Sequence, residues 1–541
     1  MLHLEGRGDF EVYSKCGGCG ATNPAFRCEN QSCYGPGLFC QECIVRRHQV
    51  LPTHWIQEWT GDFFKRVGLS SLGLVVQLGH TPGSACTTMR RGRYKFTLID
   101  VNGLHNVAVQ FCECDSRITH RQQLMRVCWW PATARDPSTC ATFNVIRLFQ
   151  NMNCLGKISS YHFLRSLELL TNADGLNPTP NRRRAFIHIV RQHRMMEAMK
   201  RAGRGHCDSG VGGTAQGELA LLCRGCPQPG KNLPDGWDKI DWKNMPEDLS
   251  YKYALFLAQD CNFRLINRNV SSEARDPIID DGLGYFCNRI GYKAWIREHV
   301  DEEEISTCSG FQAMFLANAK RAKGLRATGV GGVTCARHNM WRANGIGDLQ
   351  NGERYSNMDW IFFSAVLNTI ILWIILSYDI ACQYSKNFWK RMGSMPEGMK
   401  LAEIIAVWFK VPNFHMLGHK WPCHSPFSFH WMWGAGMTDG EDVEQNWEFT
   451  NGAAGSTKMM GPGGRHAETA QHQLPLFGDI KESQSELRLL AVVFCTVLGA
   501  VTSVTLDRYT IKEMDQRPRH STGIVIQPGE PMTAQNKSEE T

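Results

Sequence analysis

The chain has 541 residues, too many for one ordinary domain, and its 43% hydrophobic and 21% charged content excludes a disordered polymer. A formal charge of +7 gives only a mild preference for anions, so any binding of a phosphate backbone has to come from local basic clusters. The count of 22 cysteines needs a chemical reason, and the polar N-terminal stretch MLHLEGRGDFEVYSKC does not read as a secretion signal, so metal ligation is expected before disulfides, in a reducing, intracellular setting.

Residues 1–55 read as a zinc-binding Cys/His cluster. Cys16-x2-Cys19, Cys28-x4-Cys33 and Cys40-x2-Cys43 are followed by His48 and His54. A tetrahedral zinc generally takes two such pairs, and an interleaved arrangement puts Cys16, Cys19, Cys40 and Cys43 on one ion and Cys28, Cys33, His48 and His54 on another. A segment this small has little core, so metal would supply its folding free energy, and closed thiolate sites leave no place for substrate. Residues 56–130 alternate apolar and polar positions in short runs such as GLVVQLGH and NVAVQFCEC, which predicts a small β domain. This block adds Cys86, His105, Cys112 and Cys114 as metal-ligand candidates, with His80 nearby; ordinary roles in a small β domain are the competing reading.

Residues 131–210 have helical periodicity with basic residues on the outer faces. Arg182, Arg183, Arg184, Arg191, Arg194, Lys200, Arg201 and Arg204, with Lys320, Arg321 and Lys323 further on, are the DNA-binding candidates, against the alternative of solvated helix faces. Residues 211–470 mix strand-like runs and helices, as an α/β layer domain does. Within it Cys223-x2-Cys226 and Cys335-x2-His338 suit a single metal clamp despite their separation, or else remain free thiols. His415-x3-His419-x3-Cys423 shares one face if helical, but no Glu follows His415, so the zinc-hydrolase pattern is absent and the histidines read as core residues or supports. The apolar run 360–380 is interrupted by Asn368 and predicts buried core rather than a membrane span; the run 489–504 is short for a span, and 516–541 reads as a polar, disordered tail within a divergent segment, 471–541.

Three acids stand out. Asp260 follows the apolar run YALFLA, Asp379 follows IILWIILSY, and Glu444 lies in TDGEDVEQNWEF. A carboxylate at the mouth of a buried strand is costly without a partner, and three together would offer hard oxygen ligands to divalent metal. Each has a plainer reading: Asp379 as a helix N-cap, and Glu444 in an acidic first turn behind a Thr438-x-x-Glu441 capping box. Spacing alone does not decide between them.

Longer words in the sequence do carry a resemblance. HWIQEWTGDFFKRVGLSSLGLVVQLGHTPGSAC with NGLHNVAVQFCEC resembles the CxC-type (CxC2-like) cysteine cluster found beside KDZ (Kyakuja-Dileera-Zisupton) transposases of fungal genomes. WWPATARDPSTCATFNVIRLF, CRGCPQPGKNLP, YALFLAQDCNFRL, GVGGVTCARH, GDLQNGERYSNMDWIFFSA, SYDIACQYSKN, VPNFHMLGH and TDGEDVEQNW resemble a KDZ transposase, in order, from about residue 50 to about 470. The resemblance implies a multidomain α+β chain: zinc cluster, small β unit, helical basic region and an RNase H-like α/β catalytic domain. It further implies Asp260, Asp379 and Glu444 as a DDE triad, with Glu444 preferred to Glu441 because it stands three before Trp447. Expected with these are catalytic Mg²⁺ or Mn²⁺, structural Zn²⁺, transposon-end and target DNA as partners, a homo-oligomer, a nuclear location, and neither a small-molecule substrate nor a membrane. The competing expectation is a non-catalytic zinc- and DNA-binding remnant or chromatin protein. Beyond residue 471 the resemblance stops, which suggests a truncated or wrongly joined copy.

Overall fold

The computed structural model describes residues 14–33, 37–174, 179–240, 251–299, 324–367, 369–403 and 405–472. The chain divides into two units, Met1–Pro475 and Leu476–Thr541, and the second, with the apolar run 489–504 and the polar tail, lies outside the described residues.

The first module is a three-stranded sheet in the order β1 (Phe26–Cys28), β2 (Trp55–Trp59) and β3 (Phe64–Gly68), with one helix, Gln41–Arg47. Its core is small: Phe26, Ile44, Ile56, Leu69 and Leu74. Because β2 pairs with β1 across residues Phe26–Cys28, the cysteine-rich module continues past residue 55, where sequence composition suggested a boundary.

The next sheet runs β4 (Val75–Gln77), β7 (Gly103–Cys112), β6 (Phe96–Asp100), β9 (Thr139–Thr142) and β8 (Trp129–Pro131), with β5 (Met89–Arg91) also paired to β7. The hairpin of β6 and β7 turns at Gly103, whose φ of 134° only glycine adopts comfortably. Helices Phe143–Gly156, Ser160–Thr171 and Arg183–Arg201 follow. The first two start where a hydroxyl accepts a free backbone N–H, Thr142 from Val145 and Ser159 from His162. Phe149, Phe163 and Phe186, one from each helix, stack together in their shared core.

The third unit is built on a five-stranded sheet in the order β14 (Met340–Leu349), β13 (Gly329–Cys335), β10 (Ala254–Asn262), β15 (Trp373–Ser377) and β16 (Ala406–Lys410). β14, β13 and β10 are antiparallel neighbours, whereas β10, β15 and β16 run parallel. A separate two-stranded pair, β11 (Asn267–Arg268) with β12 (Leu325–Ala327), lies beside it in sequence. Parallel strands covered on both faces are apolar throughout, which is why Trp373–Ser377 is wholly buried. The helix Tyr355–Val366 is buried on nearly every side, and its apolar character reflects that position. The run 360–380 is thus the end of this helix and the whole of β15, and among the described residues no helix is long and apolar enough to cross a membrane.

The helix Pro462–Gln471 closes this unit through Arg465. Its guanidinium is fully buried, donates to Asp348 at the end of β14 from Nη2 at 2.8 Å and Nε at 3.1 Å, and also donates to the Leu265 carbonyl at 2.8 Å. Burial would raise the Asp348 pKa, but the charges of Arg465 and His466 outweigh it and hold the carboxyl below its ordinary range. Removing one partner leaves the other charge buried alone, so Arg465→Met is expected to destabilise this unit by about 3–5 kcal/mol in denaturant unfolding.

Candidate carboxylate and metal centres

β10 and β15 are parallel and in register, with Ala258 opposite Ser377. Asp260 and Asp379 each stand two positions further along, so the two acids leave adjacent strands side by side, at a strand spacing of about 4.8 Å. Asp260 also pairs with Gly332 on β13. A Cβ at Gly332 would collide with the rings of Trp341 and Trp447, so glycine here makes room for the indole that donates from Nε1 to Asp260 Oδ2 at 3.0 Å.

Trp447 belongs to the helix Asp442–Asn451, and one turn earlier that helix carries Glu444. Glu444 is joined to Asp379 by His415, whose Nε2 is 3.4 Å from Glu444 Oε1 and whose Nδ1 is 3.4 Å from Asp379 Oδ1. Glu441 enters from the same side: it accepts the Phe414 backbone N–H at 2.8 Å and lies 3.8 Å from His415 Nδ1. The expected capping box is therefore not formed. The helix begins with Glu441 as its N-cap, that carboxylate is turned to Phe414, and the Thr438 hydroxyl accepts from Arg337 instead.

A fourth acid has no signal in the sequence. Glu353, in the loop between β14 and the helix Tyr355–Val366, accepts a hydrogen bond from the Tyr378 hydroxyl and charges the same region. Burial pushes Asp260 well above the usual carboxylate range, and the charges of Glu353 and Glu444 push it further. Asp379 is raised by burial, then by Asp260, Glu353, Glu444 and Glu441. Glu441 rises to about 7 through burial and the charge of Glu444, against the Phe414 hydrogen bond. Buried like charges of this kind call for protons or a cation, and a donor set dominated by carboxylate oxygen suits a hard divalent ion.

The thiols gather separately. Cys16, Cys19, Cys40 and Cys43 bring their sulfurs within 4.8 Å of one another, and so do the donor atoms of Cys28, Cys33, His48 and His54. Cys19 Sγ and Cys40 Sγ are 3.7 Å apart, near the edge of about 3.8 Å that a tetrahedron with 2.3 Å zinc–sulfur bonds requires. His48 turns Nδ1 to the Ile44 carbonyl at 2.7 Å and Nε2 to Cys33 Sγ at 3.4 Å, which is how a metal-ligating imidazole is held. Cys223, Cys226, Cys335 and His338 form a further set, with 3.3 Å between the Cys226 and Cys335 sulfurs. Gly225 lies between the first two, and any side chain there would strike the His338 ring.

In the second module the set is His80, Cys86, Cys112 and Cys114. His105 is not part of it: its Nε2 bonds the Asn102 side chain at 2.9 Å and its ring packs on Trp55. Burial pulls its pKa down to about 4, so it is a neutral core histidine. These cysteine and histidine sets could hold zinc.

The basic candidates divide by burial. Arg191 is paired with Asp276, Arg194 with Glu468 at 2.9 Å and Arg204 with Glu218 at 3.1 Å, each guanidinium being largely buried. Arg201 is drawn below its usual pKa by burial. Arg191, Arg194 and Arg204 are thus engaged in ion pairs within the fold. Arg183, Arg184 and Lys200 are exposed, and the half-buried Arg182 donates to Thr97 at 3.2 Å. Lys320, Arg321 and Lys323 lie outside the described residues.

The class these features define is a mixed α/β protein with several sheets, a converging set of acids and cysteine–histidine sets that could take zinc. Residues 253–473 match the family model described as Kyakuja-Dileera-Zisupton transposase, and residues 69–175 match the CxC2 like cysteine cluster associated with KDZ transposases. The two matched segments support a KDZ transposase, a family that implies DNA transposition and DNA as a partner. Neither curated proteins nor solved structures give a match.

The acid cluster has a stability signature. Glu441 has a folded pKa of about 7, above the roughly 4.3 of an unfolded glutamate, so the folded state holds the proton more tightly. Its contribution to stability therefore falls as pH rises from about 4.3 to about 7. Glu441→Gln, which keeps an acceptor for the Phe414 N–H, is expected to raise the Tm above pH 7 without added divalent metal and to leave it unchanged near pH 4.

Proposed function

We propose that the chain is a DDE-type transposase whose phosphoryl-transfer centre comprises Asp260, Asp379 and Glu444 on an RNase H-like sheet. The observation that carries this reading is the register of β10 and β15, which aligns two aspartates beside a helix bearing the third acid. Counting only the strands of the third unit's main sheet, their order is 3-2-1-4-5 with the first three antiparallel and the last two parallel to the first, and this supports the RNase H-like assignment.

Asp260, Asp379 and Glu444 would hold Mg²⁺ or Mn²⁺. Bound by these residues, such an ion would supply Lewis-acid stabilisation of the charge that develops in phosphoryl transfer. The protein's own part is to orient those acids: Trp447 fixes one Asp260 oxygen, His415 spans Asp379 and Glu444, and Glu353 adds negative charge that a proton or a bound cation would offset. Water would attack first to free a 3′-hydroxyl at the element end, and that hydroxyl would then attack target DNA, so no nucleophilic side chain is needed.

The exposed Arg183, Arg184 and Lys200 would contact phosphates, next to a cavity of about 910 Å³ lined by Arg183, Arg184 and Arg275. Phe414, Trp421, Trp431 and Trp433, all more than two-thirds exposed, flank the acid-bearing segments and would stack on unpaired bases. Zinc in the cysteine-rich modules would be structural. A nuclear site of action and assembly into a homo-oligomer belong to the same reading.

Metal-dependent nicking of element-end duplex DNA is the decisive assay. Asp260→Asn is expected to abolish it, whereas Trp447→Phe should cost about 10–100-fold, the usual consequence of removing a hydrogen bond that orients a ligand. Cleavage that survives Asp260→Asn would sink the catalytic reading, and salt-sensitive binding without any cleavage would indicate a non-catalytic descendant. Neutralising Arg183 or Arg184 is expected to weaken DNA binding and to lower the slope of log K against log salt by about 1 for each phosphate that is no longer neutralised.

A further inference from the structure

Three donors that the transposase reading leaves unused meet next to the carboxylates. Cys382 follows Asp379 by three residues, in the short helix Ala381–Tyr384. His419 and Cys423 come from the segment after β16, in which His415 also lies. The ligand atoms of Cys382, His419 and Cys423 are all within 4.8 Å of one another. Cys382 Sγ is 3.4 Å from His419 Nδ1, close to the edge of about 3.5 Å expected when zinc bonds both at 2.3 and 2.05 Å. The other ring nitrogen, Nε2, lies 2.9 Å from the backbone carbonyl of Asp379. That is the arrangement of a ligating imidazole: one nitrogen toward the metal, the other N–H donated to a carbonyl that fixes the ring's tautomer and plane. Cys382 and His419 are buried and Cys423 half-buried, so the group is enclosed on two sides and reachable on the third.

We propose that Cys382, His419 and Cys423 bind a zinc ion that staples the His415 segment to the start of the helix after Asp379. From spacing alone the histidines here read as core residues or supports, because no Glu follows His415 to make the zinc-hydrolase pattern; Cys382 adds a donor from the neighbouring strand's end. Three protein donors leave one position for water or another exogenous ligand. Since His415, in the short helix Asn413–Met416, stands four residues before His419 and faces Asp379 and Glu444, the ion would hold His415 in place without touching the reacting atoms. His419 would likewise be a positioning residue, acting through the Asp379 main chain.

The site is independent of the phosphoryl-transfer reading, because metal content is measured without DNA. Full-length protein prepared with zinc is compared with Cys423→Ser and Cys382→Ser by elemental analysis, and each variant is expected to lose one zinc per chain. Since a change at buried Cys382 can disturb folding, the unaltered protein supplies a second measurement. Iodoacetamide should leave Cys423 unmodified while zinc is bound and modify it after chelation, with the exposed Cys207 as internal reference in both states. An unchanged zinc content in Cys423→Ser, or equal Cys423 labelling before and after metal removal, would overturn the proposal.

Discussion

The site depends on a repulsion. Two in-register parallel strands deliver Asp260 and Asp379, both half-buried, into one place, and Glu353, Glu441 and Glu444 add to the same charge. Burial and mutual repulsion both favour the protonated acids, so the arrangement is held by the surrounding fold rather than by its own attractions. Much of what surrounds it can be understood as restraint: the indole of Trp447, the imidazole of His415, the glycine at 332 that admits the indole, and the Arg465–Asp348 pair that fastens the last described helix to the sheet.

Charge is distributed unequally across the rest of the molecule. Arginines that look alike along the helix Arg183–Arg201 have opposite fates, since Arg191 and Arg194 turn inward to Asp276 and Glu468 while Arg183 and Arg184 stay in solvent. A basic run is thus partly internal mortar and partly a surface. This explains how a chain of modest net charge can build an arginine-rich helix and still leave only a narrow positive face.

The sequence made some of this legible and hid the rest for identifiable reasons. Cysteine pairs at two- to four-residue spacing carry their geometry locally, so the N-terminal groups and the Cys223–His338 group could be written down from spacing. The runs before Asp260 and Asp379 are apolar for most of their length, as strands buried on both faces are. Glu353 and Cys382 had no such local signature, for they reach their partners only through the sheet. His105 shows the opposite error: it stands among metal-ligand types in sequence, yet β7 turns it toward Asn102 and Trp55. Thr438 and Glu441 satisfy a capping pattern that fails because Arg337 and Phe414 compete for both side chains.

The set Cys223, Cys226, Cys335 and His338, which could hold zinc, bears on how the chain reaches this structure. Its sulfurs at Cys226 and Cys335 are 109 positions apart, and β10 and β13, the antiparallel pair at the middle of the sheet, lie within that span. A bond across so long a loop removes much of the disorder of the open chain, by about 4–5 kcal/mol if a bound ion acts as a covalent cross-link would. Metal captured early would bring Cys335, the last residue of β13, close to the chain just ahead of β10 before distant strands had to find each other. Availability of that metal during synthesis would then govern the yield of folded protein as much as its final stability.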